Sequence, residues 1–353
     1  MNAKTSAFAA LAAGALGFLA VRRARRRPAV HLQGAVVLIT GGSRGLGLAT
    51  AREFGAHGAT IAICARDEEE LLRAESSLNA RGIRARHFVC DISDPDQVAA
   101  MVRDVTRTLG PIDILVNNAG VIRVGPFASM TVQDFEDAMK VMFWGMLHTT
   151  MAVLPSMRKQ KRGSIVNITS VGGKVSVPHL LPYCCAKFAA SALSEGLRTE
   201  LAPEGIRVTT VVPGLMRTGS HLNAQFKGRQ AEEYRWFAAG AATPLISIAA
   251  ERAAKSIVSA ALRGDAEKIL SLPADVLARL HGLAPGLTSE LLGIAQLALP
   301  SESAGTHGAI PGREIEARFT SRLWKLSTRA GQRAAESLNE IAEPAKQTSP
   351  API

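Results

Sequence analysis

The sequence predicts an α/β fold: a doubly wound parallel sheet in a single domain, with an apolar helix before it and a helical extension after it. Three observations carry this. Strand-like and helix-like segments alternate through the first two thirds of the 353 residues, the order expected of parallel strands joined by helical crossovers. With 47% hydrophobic and 20% charged residues, the chain can fill one large core. A glycine-rich turn follows the first strand and opens the first helix, as in dinucleotide-binding βαβ units. No repeat of 20–50 residues is visible, which excludes a solenoid or propeller.

In chain order, residues 5–21 are uncharged and mostly apolar, and Arg22, Arg23, Arg25, Arg26 and Arg27 follow them. With Lys4 these arginines supply six of the eleven net positive charges. As a helix, residues 5–21 would be about 25 Å long against a hydrocarbon layer of about 30 Å. An apolar stretch flanked by arginine predicts a membrane anchor over residues 1–27, with the rest of the chain on the cytoplasmic face. A cleaved leader and an alanine-rich soluble leader are the alternatives, the latter leaving a soluble cytoplasmic protein. The basic run has no nucleic-acid-binding motif beside it, so no nucleic-acid partner is expected. Cys64, Cys90, Cys184 and Cys185 lack metal-ligand spacing; they read as free packing residues in a reducing compartment.

Residues 34–264 form the predicted catalytic domain. Its first half is a strand at Val36–Thr40, a helix near 45–57, a strand at Thr60–Ala65, a helix near 68–81 and a strand at Ala85–Cys90. The second half has strands at Ile112–Asn117, Ser164–Ile168 and Arg207–Val212. One long helix near 131–159 and another near 182–202 separate them, and helical segments continue to about 262. Residues 265–353 read as a helical extension. Residues 301–312 within it form a loop, and Ile315, Phe319, Leu323 and Leu326 recur at helical spacing among arginines. That pattern suits a membrane-surface helix or one packed on the core. The last residues, AKQTSPAPI, read as a disordered tail.

The turn Thr40-Gly41-Gly42-Ser43-Arg44-Gly45-Leu46-Gly47 carries the first chemistry. Glycines let the backbone approach a pyrophosphate and let helix and strand pack closely, and the helix N-terminus faces the negative charge. The second strand ends Ala65-Arg66-Asp67, with alanine where NAD sites place a ribose-binding acid. Arg44 and Arg66 suit a 2′-phosphate through paired hydrogen bonds. NADP(H) is therefore favoured over NAD(H), with Asp67 as the residue that would argue for NAD(H).

With these residues in place, the chain from about Gly34 to Leu262 resembles the short-chain dehydrogenase/reductase family, whose domain is of the Rossmann type. The resemblance rests on separate motifs in the family's order: Thr40-Gly41, Gly45 and Gly47; Asp91-Ile92; Asn117-Asn118-Ala119-Gly120; Ser170; Tyr183-Cys184-Cys185-Ala186-Lys187; and Pro213-Gly214 with Thr218. It implies a cofactor site of Gly41, Ser43, Arg44, Gly45, Leu46, Gly47, Arg66, Asp91, Ile92, Asn118, Ala119, Gly120, Tyr183, Lys187, Pro213, Gly214 and Thr218. It also implies Ser170, Tyr183 and Lys187 as the catalytic set, with no metal, and subunits paired through helices beside the active site.

The residue types fit that chemistry. Tyr183 and Lys187 share a helix face four residues apart. An ammonium beside a phenol favours the phenolate and brings it toward general acid/base use. The resemblance adds that Lys187 holds the nicotinamide ribose. Ser170 would hydrogen-bond the substrate oxygen as charge develops on it. One departure stands out: Met142 takes the place of the family's asparagine that supports a proton relay, and a thioether accepts weakly and donates nothing. A cofactor-binding protein with little catalysis is therefore the alternative function. Substrate loops are expected at 121–130, 171–182 and 215–245. Met216, Leu222, Phe226, Tyr234, Trp236 and Phe237, with Val175, Val177, Leu180 and Leu181, predict an apolar pocket for a small lipophilic alcohol or carbonyl.

Overall fold

The computed structural model describes residues 31–243, 246–301, 308–319 and 321–341. The predicted anchor at 5–21, part of the 301–312 loop and the C-terminal tail lie outside the described residues. Seven parallel strands form the central sheet: β1 (Val36–Thr40), β2 (Thr60–Ala65), β3 (Ala85–Val89), β4 (Ile112–Asn117), β5 (Gly163–Ile168), β6 (Ile206–Val212) and β7 (Glu267–Ile269). Their spatial order is β7-β6-β5-β4-β1-β2-β3, so the winding reverses between β1 and β4. Ligands of doubly wound sheets bind at that reversal, beyond the carboxyl ends of the strands. β1 is buried along its whole length and β2 along all but its last residue, as a sheet covered on both faces requires.

The crossover helices are α1 (Gly45–Ala56), α2 (Glu68–Asn79), α3 (Pro95–Leu109), α4 (Val132–Met139), α5 (Gly145–Gln160), α6 (Leu181–Leu201), α7 (Gln230–Ala242) and α8 (Ala250–Arg263). Local chemistry sets several starts. Asp67 accepts the Glu70 N–H at the start of α2, and Asp94 accepts from Asp96 and Gln97 before Pro95. Thr131 and Asp134 cap α4 reciprocally. Side-chain oxygens placed this way satisfy N–H groups that the first turn leaves unpaired.

The single helix expected near 131–159 is two α-helices joined by a π-helical turn, Lys140–Trp144. The 3.6-residue apolar pattern continues through this wider turn, so periodicity alone does not reveal it. In the extension, α9 (Leu272–Leu283) and α10 (Pro285–Gln296) precede a short α11 (Gly312–Glu316) and α12 (Arg322–Ser337). The helical spacing of Ile315, Phe319, Leu323 and Leu326 thus spans two helices and the turn between them. The segment packs on the domain: Phe319 stacks on Tyr234 with centroids 6.0 Å apart, and Ile310–Pro311 pairs antiparallel with Gln225–Phe226. Among the described residues no helix is long and apolar enough to cross a membrane.

Candidate active site

A cleft of about 760 Å³ opens along the carboxyl ends of the central strands. The turn after β1 forms one wall. Gly45 has φ +54°, and a Cβ on Gly47 would stand 2.1 Å from the Gly41 carbonyl oxygen. Gly41, Arg44, Gly45 and Leu46 line the cleft; Gly47 instead permits α1 to pack onto the turn. Ser43 is buried and donates to Glu70.

Arg44 lies 3.0 Å from Glu70 and 3.6 Å from Glu340. Arg66 also lines the cleft, is largely exposed and lies 4.0 Å from Asp91. Asp67 caps α2, is exposed and also lines the cleft. Asp91 accepts from both the N–H and the hydroxyl of Ser93, and Ile92 is buried. Ser93 faces the cleft, where Asp91 and Ile92 do not.

After β4, Asn118 donates to the carbonyls of Thr40 and Gly41, both at 3.0 Å, tying two strand ends together. Asn117 is buried, bonded to Asn167 and Thr150. Asn118, Ala119 and Gly120 line the cleft, as do Pro213, Gly214 and Thr218 after β6. The Pro213 carbonyl accepts the Val171 N–H at 2.7 Å and so holds the Ser170 loop against β6.

Ser170, Tyr183 and Lys187 come together in this cleft. Ser170 follows β5, and its hydroxyl accepts the Gly172 N–H at 3.0 Å. Tyr183 and Lys187 lie one turn apart on α6, with Nζ 5.8 Å from the ring centroid. Nζ donates to the Ile168 carbonyl at 2.8 Å. Burial pushes the Tyr183 phenol up to about 12, with the Ser170 hydrogen bond working in the opposite direction. Burial pulls the Lys187 ammonium down to about 8. Desolvation disfavours each charged form, and for Tyr183 it outweighs the lowering expected from a neighbouring ammonium. Met142 is buried against Ala138, Ala186 and Tyr183, in the π-helical turn.

The expected apolar lining is arranged differently. Phe226, Tyr234 and Phe237 are buried in a cluster with Val124, Ala224 and Ile315, and of the ten apolar residues proposed for the pocket only Met216 lines the cleft. Much of the segment expected as a loop is helix α7, and its aromatic Tyr234 found a partner in the C-terminal extension, which sequence order conceals. Val121, Ile122 and Val141 supply apolar wall, and Arg123, Asp134, Asp137 and Lys140 supply charge. Asp134 bonds Arg123 and Lys227, each at 2.6 Å. Its burial favours the neutral acid, but Lys227 and the Thr131 N–H hold its carboxyl below the usual carboxylate range. Sequence reasoning missed Glu70 and Glu340 beside the turn; neither belongs to a local motif. Cys184 packs as expected, whereas Cys185 is exposed.

Residues 35–227, more than half the chain, match the model of the short chain dehydrogenase family. The chain belongs to this family. Dehydrogenase/reductase SDR family member 7B of Xenopus laevis is 37% identical over 204 residues, 56% of this chain and 63% of that one. The chain thus spans under two thirds of that relative's length. Gluconate 5-dehydrogenase of Gluconobacter oxydans is 36% identical over 187 residues, 53% of this chain and 73% of that one. Among solved structures, a gluconate 5-dehydrogenase from Burkholderia cenocepacia in complex with NADP and tartrate superposes with TM-score 0.62 at 27% identity. The match covers 72% of this chain and 99% of that one. A short-chain dehydrogenase from Streptomyces avermitilis gives TM-score 0.61 at 32% identity, covering 75% and 98%. The relatives are named dehydrogenases, and the Rossmann-type sheet agrees with them.

The residues fit a nicotinamide dinucleotide. A glycine turn stands at a helix N-terminus on one wall of the cleft, two arginines stand beside it, and a buried lysine lies further along the same cleft.

Proposed function

We propose that the protein is an NADP(H)-dependent oxidoreductase that interconverts an alcohol and a carbonyl compound. The observation that carries this reading is that Ser170, Tyr183 and Lys187, the last two one turn apart on α6, meet in the cleft that begins at the glycine-rich turn. A bound nicotinamide dinucleotide supplies or accepts the hydride. Ser170 donates to the substrate oxygen as negative charge grows there. Tyr183, protonated at neutral pH with its phenol raised further by burial, gives its proton to that oxygen during reduction. Lys187 holds the nicotinamide ribose, and its ammonium favours loss of the phenol proton. Arg44 and Arg66 hold the 2′-phosphate, and the N-terminus of α1 takes the pyrophosphate.

For the substrate, Val121, Ile122 and Met216 support an apolar group beside the reacting carbon, consistent with a small lipophilic compound. The apolar segment at 5–21 and its arginines support attachment to the cytoplasmic face of a membrane. Family resemblance supports a homo-oligomer.

The test is oxidation of NADPH, followed by absorbance, with a panel of lipophilic ketones and aldehydes. Tyr183→Phe is expected to lower turnover by about 10²–10⁴-fold while NADPH still binds. An unchanged rate in that variant refutes the assignment. Met142, buried where the family's relay asparagine stands, favours a second reading, a cofactor-binding protein of slow chemistry. Tight NADPH binding without turnover across the panel would favour it.

A further inference from the structure

The C-terminal extension returns to the glycine-rich turn, although Asn339 and Ser43 are 296 positions apart. Beyond α12, Leu338 is fully buried against Ala49, Ala250 and Ala254. Its carbonyl accepts the N–H of Gly45, the first residue of α1, at 2.9 Å. Asn339, with φ +60°, donates its side-chain amide to the carbonyls of Ser43 and Glu70, both at 2.9 Å. Arg73 donates to its oxygen at 3.1 Å. These bonds deliver the Glu340 carboxylate onto the turn. A Cβ on Gly45 would stand 2.6 Å from Glu340 Oε1. Glu340 Oε2 lies 3.6 Å from Arg44 Nε and accepts from Asn223 Nδ2. The side chain is 4% exposed.

A helix N-terminus with an adjacent arginine attracts an anion. Here the anion is the chain's own carboxylate, standing over Gly45 and beside Arg44, the two groups assigned above to the cofactor's phosphates, while the Gly45 N–H itself is taken by the Leu338 carbonyl. Two anions in so enclosed a space raise each other's electrostatic cost. We propose that Glu340 is a built-in competitor for the phosphate-binding turn: the dinucleotide seats only when this carboxylate gives up Gly45 and Arg44. The inference rests on the cofactor reading above.

Leu338 anchors the segment in the core, so only its tip has to move. Burial raises the Glu340 carboxyl to about 7, Arg44 and the Asn223 hydrogen bond oppose that, and Glu70 adds to it. The ionised carboxylate is therefore weakly held, which suits displacement by a more highly charged group.

The experiment is titration calorimetry of the full chain with NADPH and with NADH, comparing wild type, Glu340→Gln and Glu340→Ala. Removing a charged competitor is expected to tighten NADPH binding about 10-fold in Glu340→Ala. The gain should be smaller in Glu340→Gln, which keeps the shape. Amide exchange of the peptide spanning 334–341 should rise when NADPH is added to wild type. That measurement also decides the matter if Glu340→Ala does not fold. Unchanged or weaker binding in the variants, or exchange that slows, overturns the proposal and makes Glu340 a wall of the cofactor site. Failure of the cofactor reading looks different: neither dinucleotide binds any of the three proteins, which overturns both.

Discussion

Tyr183 and Lys187 show how burial changes what residue types alone suggest. A phenol and an ammonium four residues apart promise a lowered phenol, yet the phenol is raised to about 12 and the ammonium falls to about 8. The consequence is a pH profile with a definite sign. Lys187 is charged below about 8 and loses its charge above it, while Tyr183 stays protonated throughout. Carbonyl reduction should therefore hold steady up to pH 7.5 and decline through about pH 8; kcat/KM measured from pH 6 to 10 checks this, and a profile flat to pH 10 contradicts it. In the proposed cofactor site, Arg66 is the residue left to set dinucleotide choice, because Arg44 already bonds Glu70. Arg66→Ala should lower the preference for NADPH over NADH about 10-fold, the loss of one charge-assisted hydrogen-bonding group. Dissociation constants for both dinucleotides measure it.

At the scale of elements, β1, the glycine turn and α1 form a unit whose geometry needs specific glycines. Gly47→Ala would drive a methyl onto the Gly41 carbonyl and should cost about 1–3 kcal/mol, as overpacking typically does. Gly293, inside α10, would meet nothing within 4 Å, so Gly293→Ala should stabilise by about 0.5–1 kcal/mol through helix propensity alone. Chemical denaturation of the two variants gives opposite signs if this account is right. Six of the seven strands were legible, most of them as β-branched runs between turn residues, and β1, β2 and β4 have the expected bounds; β7, a three-residue edge strand in the stretch expected as a helical extension, was not. The π-helical turn was not, since apolar spacing across one wide turn still satisfies a helical pattern.

At the scale of the whole molecule, the extension closes over the domain through His221, Tyr234, Phe319 and Leu338. His221 is buried beside Gly312 and Gly331, and burial pulls its imidazole down to about 4. Its folded-state value lies below the usual 6.5, so its stabilising share is present above pH 6.5 and is lost as pH falls toward 4. The loss is about 3 kcal/mol. Thermal melting from pH 7 to pH 4 should show a decline that is shallower in His221→Gln. Glu340 acts in the opposite direction, because its raised carboxyl contributes stability below its unfolded value that is lost as pH rises through about 7.

By itself the sequence determined six strands of the sheet and the glycine turn, because each follows from spacing along a few adjacent residues, while Ser170, Tyr183 and Lys187 were singled out through the order of their motifs. Only the tertiary structure decided where Phe226, Tyr234 and Phe237 go, what Arg44 bonds to, and what covers the turn. Those outcomes depend on pairing segments far apart in the chain: Phe319 against Tyr234, Glu70 against Arg44, Glu340 against Gly45. Local propensity carries no information about such partners; the winners are set by which distant groups can satisfy burial and charge together in one packed arrangement.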